Sequence, residues 1–232
     1  MKFRTASIAI IVLLVGVLST PAQDHKMVQF QMAILKKTPK WTSMADTEKN
    51  SILHQHLRNV IALLQSGKAV IAGPFGDDTE LGGIFIFRAA STDEAKSWVD
   101  ADPIVKAGLV VPEIHPWFSE DIFKKAAMPL QLSTVYFGFL RKGPNRKEGD
   151  DKIAEVQELQ KAHIANINRL AGTKKLVVAG PFGDDSDLRG IFVFRVDSLK
   201  EAADLAATDP MVKIDRLRVE LHPWQIPDGV LP

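Results

Sequence analysis

Two stretches place a histidine inside an apolar helical pattern: "HQHLRNV" (54–60) and "KAHIANI" (161–167). His56 lies three to four residues from Ile52, Leu53 and Val60, and His163 lies four from Leu159 and from Ile167. On a helix this spacing turns both imidazoles toward the buried face. A buried imidazole requires partners for its nitrogens. It also exchanges a proton near neutral pH, so an orienting carboxylate makes it general acid–base equipment. The chain offers carboxylates downstream of each histidine, in "AGPFGDD" at 72–78 and again at 179–185. Gly-Pro ends a strand there, and the loop can carry an acid back toward the helix. The candidate catalytic set is therefore His56 with Asp77 or Asp78, and His163 with Asp184 or Asp185. The competing structural reading is a core histidine satisfied by backbone, beside a solvated Gly-Asp-Asp turn.

The elements that would position these residues occur twice. "VIAGPFGDD" (70–78) returns as "VVAGPFGDD" (177–185), "GIFIFR" as "GIFVFR", "DPIVK" as "DPMVK", and "EIHPW" as "ELHPW". The offset is 107 residues throughout, and 25 of 49 positions from Ala69 to Trp117 are identical to their counterparts without a gap. His56 and His163 are 107 apart, as are His115 and His222. Upstream, "LKKTP" (35–39) matches "LRKGP" (140–144) two residues out of step. A period this long marks duplicated domains rather than a solenoid. The expected organisation is a unit at 27–117, a linker at 118–131 and a second unit at 132–226, preceded by residues 1–22.

Each unit reads alike. Alternating, β-rich "MVQFQMAIL" and "LSTVYFGFL" are strands. Long helices follow over roughly 46–66 and 150–171, with Leu57 and Ile164 on their apolar stripes. Short strands end at Gly-Pro, and "GIFIFRA" and "GIFVFRV" are strands. Ser91 and Ser198 are N-caps with Glu94 and Glu201 three residues on. A last strand carries Glu-x-His-Pro-Trp. The order βαββαβ is the split βαβ of ferredoxin-like folds. The fold class is thus α+β, two ferredoxin-like repeats whose bare sheet faces cover each other within one chain, as in a dimeric α+β barrel.

Composition excludes several functions. A formal charge of +1 leaves no electrostatic footprint for nucleic acid. The absence of cysteine rules out disulfides, thiol catalysis and thiolate metal sites. Lys2 and Arg4, the 13-residue apolar run at 6–18, and small residues to Ala22 have the pattern of a secretory signal. An exported protein with no stable membrane span after signal removal is expected, periplasmic or extracellular; the competing reading is a retained membrane anchor. His54 and His56, at i and i+2, do not share a helical face, and no metal or other cofactor is expected. Asp102-Pro103 and Asp209-Pro210 are expected to close helices by local Asp–backbone bonds. Glu113 with His115, and Glu220 with His222, share one strand face, at a barrel mouth or at a wet strand end.

The ordered motifs, helical His-Leu or His-Ile, "AGP" with its Asp loop, "DP", then "E-I/L-H-P-W", resemble the YCII-related domain family along almost the whole of each repeat. The resemblance implies a ferredoxin-like, dimeric α+β barrel related to muconolactone isomerase-like proteins. It also implies a His–Asp active site, mapping to His56 and His163 with Asp77 or Asp78 and Asp184 or Asp185. The Gly-Ser that many members carry at the third strand is replaced by Gly82-Gly83 and Arg189-Gly190, so that hydroxyl is missing. Two functions stay open: acid–base catalysis on a small organic molecule (isomerase, lyase or hydrolase type), or a non-catalytic periplasmic ligand-binding or interaction module. The expected partner is a small molecule, with further homo-oligomerisation left open.

Overall fold

The computed structural model describes residues 26–232, so the 1–22 segment, where an export signal was expected, lies outside the described residues. The first repeat runs β1 (Met27–Lys37), α1 (Lys40–Ser43), α2 (Asp46–Gln65), β2 (Ala69–Pro74), β3 (Leu81–Phe87), α3 (Thr92–Asp100), α4 (Pro103–Lys106) and β4 (Val110–Glu120). The second runs β5 (Leu132–Lys142), a 3-10 turn (Asp150–Lys152), α5 (Ala154–Gly172), β6 (Leu176–Pro181), β7 (Leu188–Phe194), α6 (Leu199–Ala206), α7 (Pro210–Lys213) and β8 (Leu217–Pro227). The two-residue slip between the repeats falls where the first has α1 and the second has the 3-10 turn.

Local chemistry explains the element ends. Ser91 and Ser198 cap α3 and α6, each accepting a 3.1 Å bond from the backbone N–H three residues on. Asp102 and Asp209 do not close the preceding helices. They open α4 and α7, accepting from Ile104 N and Met211 N with proline at the first helical position. After α2, Gly67 takes the left-handed turn at φ 75°, and the equivalent Lys174 is held at φ 61°.

Each repeat forms a four-stranded antiparallel sheet, ordered β2-β3-β1-β4 and β6-β7-β5-β8. The sheets close on each other along both edges. Phe75 bridges Trp224, and Phe182 bridges Trp117. Gly76 N donates to Pro223 O at 2.8 Å, and Gly183 N to Pro116 O at 2.7 Å. The result is one barrel with the helices outside. Strand alternation sends Phe30, Met32, Ile84, Ile86 and Trp117 inward, together with Phe137, Phe139 and Trp224, all buried. Burying an aromatic of this size is worth about 2–3 kcal/mol each. The opposite face packs on the helices, where Phe85 and Phe87 lie under α2 and α3.

The glycine of "AGP" is what lets the edges meet. A Cβ on Gly73 would stand 1.7 Å from Gln225 O, and one on Gly180 1.9 Å from Phe118 O. Trp224 Nε1 donates to Gly73 O at 3.0 Å, and Trp117 Nε1 to Gly180 O at 3.1 Å. Two of the repeated motifs therefore clasp each other across the seam, "AGPFGDD" of one repeat on "HPW" of the other.

Candidate functional site

His56 and His163 face the sheet beneath their helices, with ring centroids 6.0 Å from Phe85 and 6.2 Å from Phe192. Their partners differ from those expected. His56 Nδ1 donates to Asp102, 2.9 and 2.8 Å from its two oxygens, and His163 Nδ1 donates to Asp209 Oδ2 at 2.6 Å. Both aspartates have no solvent exposure. Asn59, one turn along α2 from His56, donates to Asp102 Oδ2 at 2.7 Å, and Ile104 N donates to Oδ1 at 3.0 Å. In the second repeat Met211 N donates to Asp209 Oδ1 at 2.9 Å, and Asn166 Nδ2 reaches Oδ2 at 3.5 Å. Asn166 is itself held by Arg169 and Thr208. Every bond to these carboxylates comes from a donor, as an acceptor-only group requires. Nδ1 being the N–H, Nε2 carries the lone pair of the neutral ring, and no bond to it is formed among the described residues.

The pairings His56–Asp77/Asp78 and His163–Asp184/Asp185 are not formed. The loop turns away from its own helix and crosses the seam. Asp77 Oδ2 accepts from His222 Nδ1 at 2.7 Å, and Asp184 Oδ2 from His115 Nδ1 at 2.6 Å. Asp78 and Asp185 are exposed. Burial alone would raise the Asp77 and Asp184 carboxyls. Hydrogen bonds from His222 and Thr79 to Asp77, and from Ser186 and His115 to Asp184, outweigh it and hold both below the ordinary range.

Both strand histidines are buried inside the barrel, neither at a wet strand end. Each continues into a charged chain. His222 Nε2 stands 3.3 Å from Glu220, which accepts from Arg141 Nε at 2.6 Å. His115 Nε2 stands 3.2 Å from Glu113, out of line for a hydrogen bond, and Glu113 pairs with Lys36 at 2.5 Å. The Lys36 ammonium lowers the Glu113 carboxyl against its partial burial. These chains tie sheet to sheet.

A cavity opens between each long helix and the outer face of its sheet. The first holds about 250 Å³, lined by His56, Leu57, Phe85 and Ile104, with Leu132 and Pro227 of the other repeat. The second holds about 540 Å³, lined by His163, Ile164, Phe192 and Met211, with Met27 of the first repeat and Ile122 of the segment that joins the repeats. Leu57 and Ile164, expected in the core, are about half exposed. They stand on these cavity walls.

The geometry suits proton transfer at each histidine: a fixed tautomer, a carboxylate behind the ring, and an unbonded nitrogen on a mostly apolar cavity. Sequence reasoning missed Asp102, Asp209, Asn59 and Asn166. The available signal was the repeated Asp-Pro pair, and the asparagine three residues after each histidine.

Three comparisons agree with this architecture. The chain is 33% identical over 70 residues to the uncharacterized protein YjpA of Bacillus subtilis (strain 168), a match covering 30% of this chain and 80% of that one. The fold is similar to that of a heme-binding protein from Thermus thermophilus, with a TM-score of 0.52, 14% identity, and coverage of 86% of this chain and 92% of that chain. It is also similar to a mutant chlorite dismutase from Candidatus Nitrospira defluvii, with a TM-score of 0.55, 11% identity, and coverage of 85% and 90%. The YCII-related domain matches residues 30–117 and again 144–225, and with one copy in each half of the barrel the chain belongs to the YCII-related domain family.

Proposed function

We propose that the protein is an acid–base catalyst for small, largely apolar organic molecules, of isomerase, lyase or hydrolase type, with one His–Asp dyad per repeat. The observation that carries this reading is the paired state of each helical histidine. Nδ1 is committed to a buried aspartate, while Nε2 is left unbonded on a cavity wall. Nε2 would take a proton from a bound molecule and return it at another atom, as the aspartate orients the ring and stabilises its charged form. Asn59 and Asn166 position the aspartates. The apolar walls exclude water, which strengthens the His–Asp interaction.

The test is a screen of small carbonyl and hydroxy compounds, followed by His56→Asn, His163→Asn and the double variant. Loss of turnover in the double variant with an unchanged melt supports the reading. Full turnover in the double variant sinks it. Binding of screened compounds without turnover of any would favour a ligand-binding module. The residues at 1–22 support export as part of the same proposal; N-terminal sequencing of material from native cells should begin near Gln23, and a retained Met1 in the membrane fraction would contradict it.

A second reading concerns His163 alone. Its unbonded Nε2 lies on a cavity about twice the volume of the other, and the Thermus thermophilus protein of similar fold binds heme. A heme held in this cavity would take His163 Nε2 as its iron-binding nitrogen and would supply redox chemistry in place of proton transfer. Hemin titration read at the Soret band, with His163→Asn as control, tests it. An unshifted band on addition to the wild-type chain overturns it.

A further inference from the structure

The two cavities differ in charge, and one position accounts for much of the difference. The first is lined by apolar residues and carries no ionisable side chain but His56. The second is lined also by Arg146, Arg189 and Glu120. The Arg146 guanidinium is already committed, at 3.0 Å from both Asp151 oxygens. Glu120 is engaged in an interaction of its own. Arg189 is half-buried, and its hydrogen bond is a 3.5 Å contact from Nη1 to the Asp184 carbonyl. Among the described residues it has no carboxylate partner. At the equivalent position, 107 residues earlier, stands Gly82.

A guanidinium held against an apolar cavity without a counter-ion is a fork of N–H donors whose geometry matches a carboxylate. One uncommitted positive charge suits a monoanion; a phosphate dianion would call for a second cation, and Arg146 is committed to Asp151. The larger volume leaves room for an apolar body against Ile164, Ile167 and Phe192.

We propose that the second-repeat cavity binds small monocarboxylic acids, the carboxylate on Arg189 and the apolar body under α5 beside His163, whereas the first-repeat cavity takes neutral apolar molecules. The two repeats are then specialised sites rather than copies. This names the substrate class of the His163 dyad and rests on the acid–base reading for turnover, but not for binding.

The experiment is an NMR titration of the full chain with benzoate and with benzyl alcohol, read at the ring Cε1–H resonances of His56 and His163. Benzoate is expected to shift His163 and leave His56 unmoved. Arg189→Gly should weaken benzoate by about ten- to a hundredfold, the worth of a charge-assisted hydrogen bond, and leave benzyl alcohol unchanged. Wild-type benzoate affinity in Arg189→Gly, or a benzoate shift centred on His56, overturns the proposal. Gly82→Arg is the reciprocal variant. A Cβ at Gly82 would meet its nearest atoms at 3.5–3.8 Å, ordinary contact, so a side chain can be placed there. It should create a benzoate response at His56. If Arg189→Gly does not fold, failure of Gly82→Arg to gain that response overturns the proposal. Calorimetry on His163→Asn separates the two readings. Retained benzoate binding supports the carboxylate site even if turnover is unaffected and the acid–base reading falls. Loss of binding in a folded His163→Asn, with Arg189 intact, counts against Arg189 as the anchor.

Discussion

Asp77→Ala distinguishes a seam residue from a catalytic one. Asp77 Oδ2 accepts a 2.7 Å bond from His222 Nδ1, and the His222 side chain is 3% exposed. Alanine leaves that N–H buried without its acceptor. A hydrogen bond to a charged group is worth about 1.5–3 kcal/mol, and the Asp77 side chain is a quarter exposed, so about 2 kcal/mol is expected. For a chain of this size that is a fall of roughly 4–8 °C in melting temperature. Asp77→Asn keeps an acceptor and should cost about half as much. Because hydrogen bonding depresses the folded-state Asp77 pKa, its contribution is complete above the unfolded value of 3.8 and is lost as pH falls through the folded value. The wild-type advantage over Asp77→Asn should therefore shrink in acid below about pH 3.8. Urea and thermal melts can be followed by tryptophan fluorescence, since Trp224 lies two residues from His222. The ring resonances of His56 should not move. If Asp77→Ala abolished turnover at His56 and left the melt unchanged, the assignment of this loop to the seam would be refuted.

Asp102→Asn should cut turnover at the first dyad by about 10²–10⁴-fold, read as kcat with a His163→Asn background to isolate the site; an unchanged kcat would remove Asp102 from the mechanism. Gly73→Ala should prevent closure of that seam, because its Cβ would lie 1.7 Å from Gln225 O, and soluble monomer of native melting temperature would contradict the barrel edge described above. Lys174→Gly should raise stability by about 0.5–1 kcal/mol, by relieving a left-handed backbone at φ 61°, measured by urea denaturation. Hydrogen bonding from Arg216 lowers the Asp150 pKa from 3.8 to about 2; its contribution is present above 3.8 and lost as pH falls toward 2, so Asp150→Asn should flatten acid unfolding across that window.

The helical histidines were legible because a periodicity of 3.6 assigns a face from spacing alone. The carboxylate behind each was not. Asp102 lies 46 residues from His56, and "DP" is ordinary helix-opening chemistry. In the fold one aspartate does both jobs, with Oδ1 accepting from Ile104 N while Oδ2 takes Asn59. The loop acids were misassigned because nearness in sequence favoured the helix just upstream. His222 stands 145 residues from Asp77, and only barrel closure brings them together. Leu57 and Ile164 followed the apolar period yet face cavities, since a stripe specifies direction and not whether the space opposite is filled.

By itself the sequence determined the duplication, the βαββαβ order and the inward turn of His56 and His163. These depend on local periodicity and on self-similarity at a constant offset, which are properties of one dimension. The tertiary structure decided the partners. A carboxylate bonds whichever donor the closed barrel presents. Gly73 and Gly180, having no side chain, let the sheet edges approach until Asp77 and Asp184 met the histidines of the opposite repeat, leaving Asp102 and Asp209 to those on the helices.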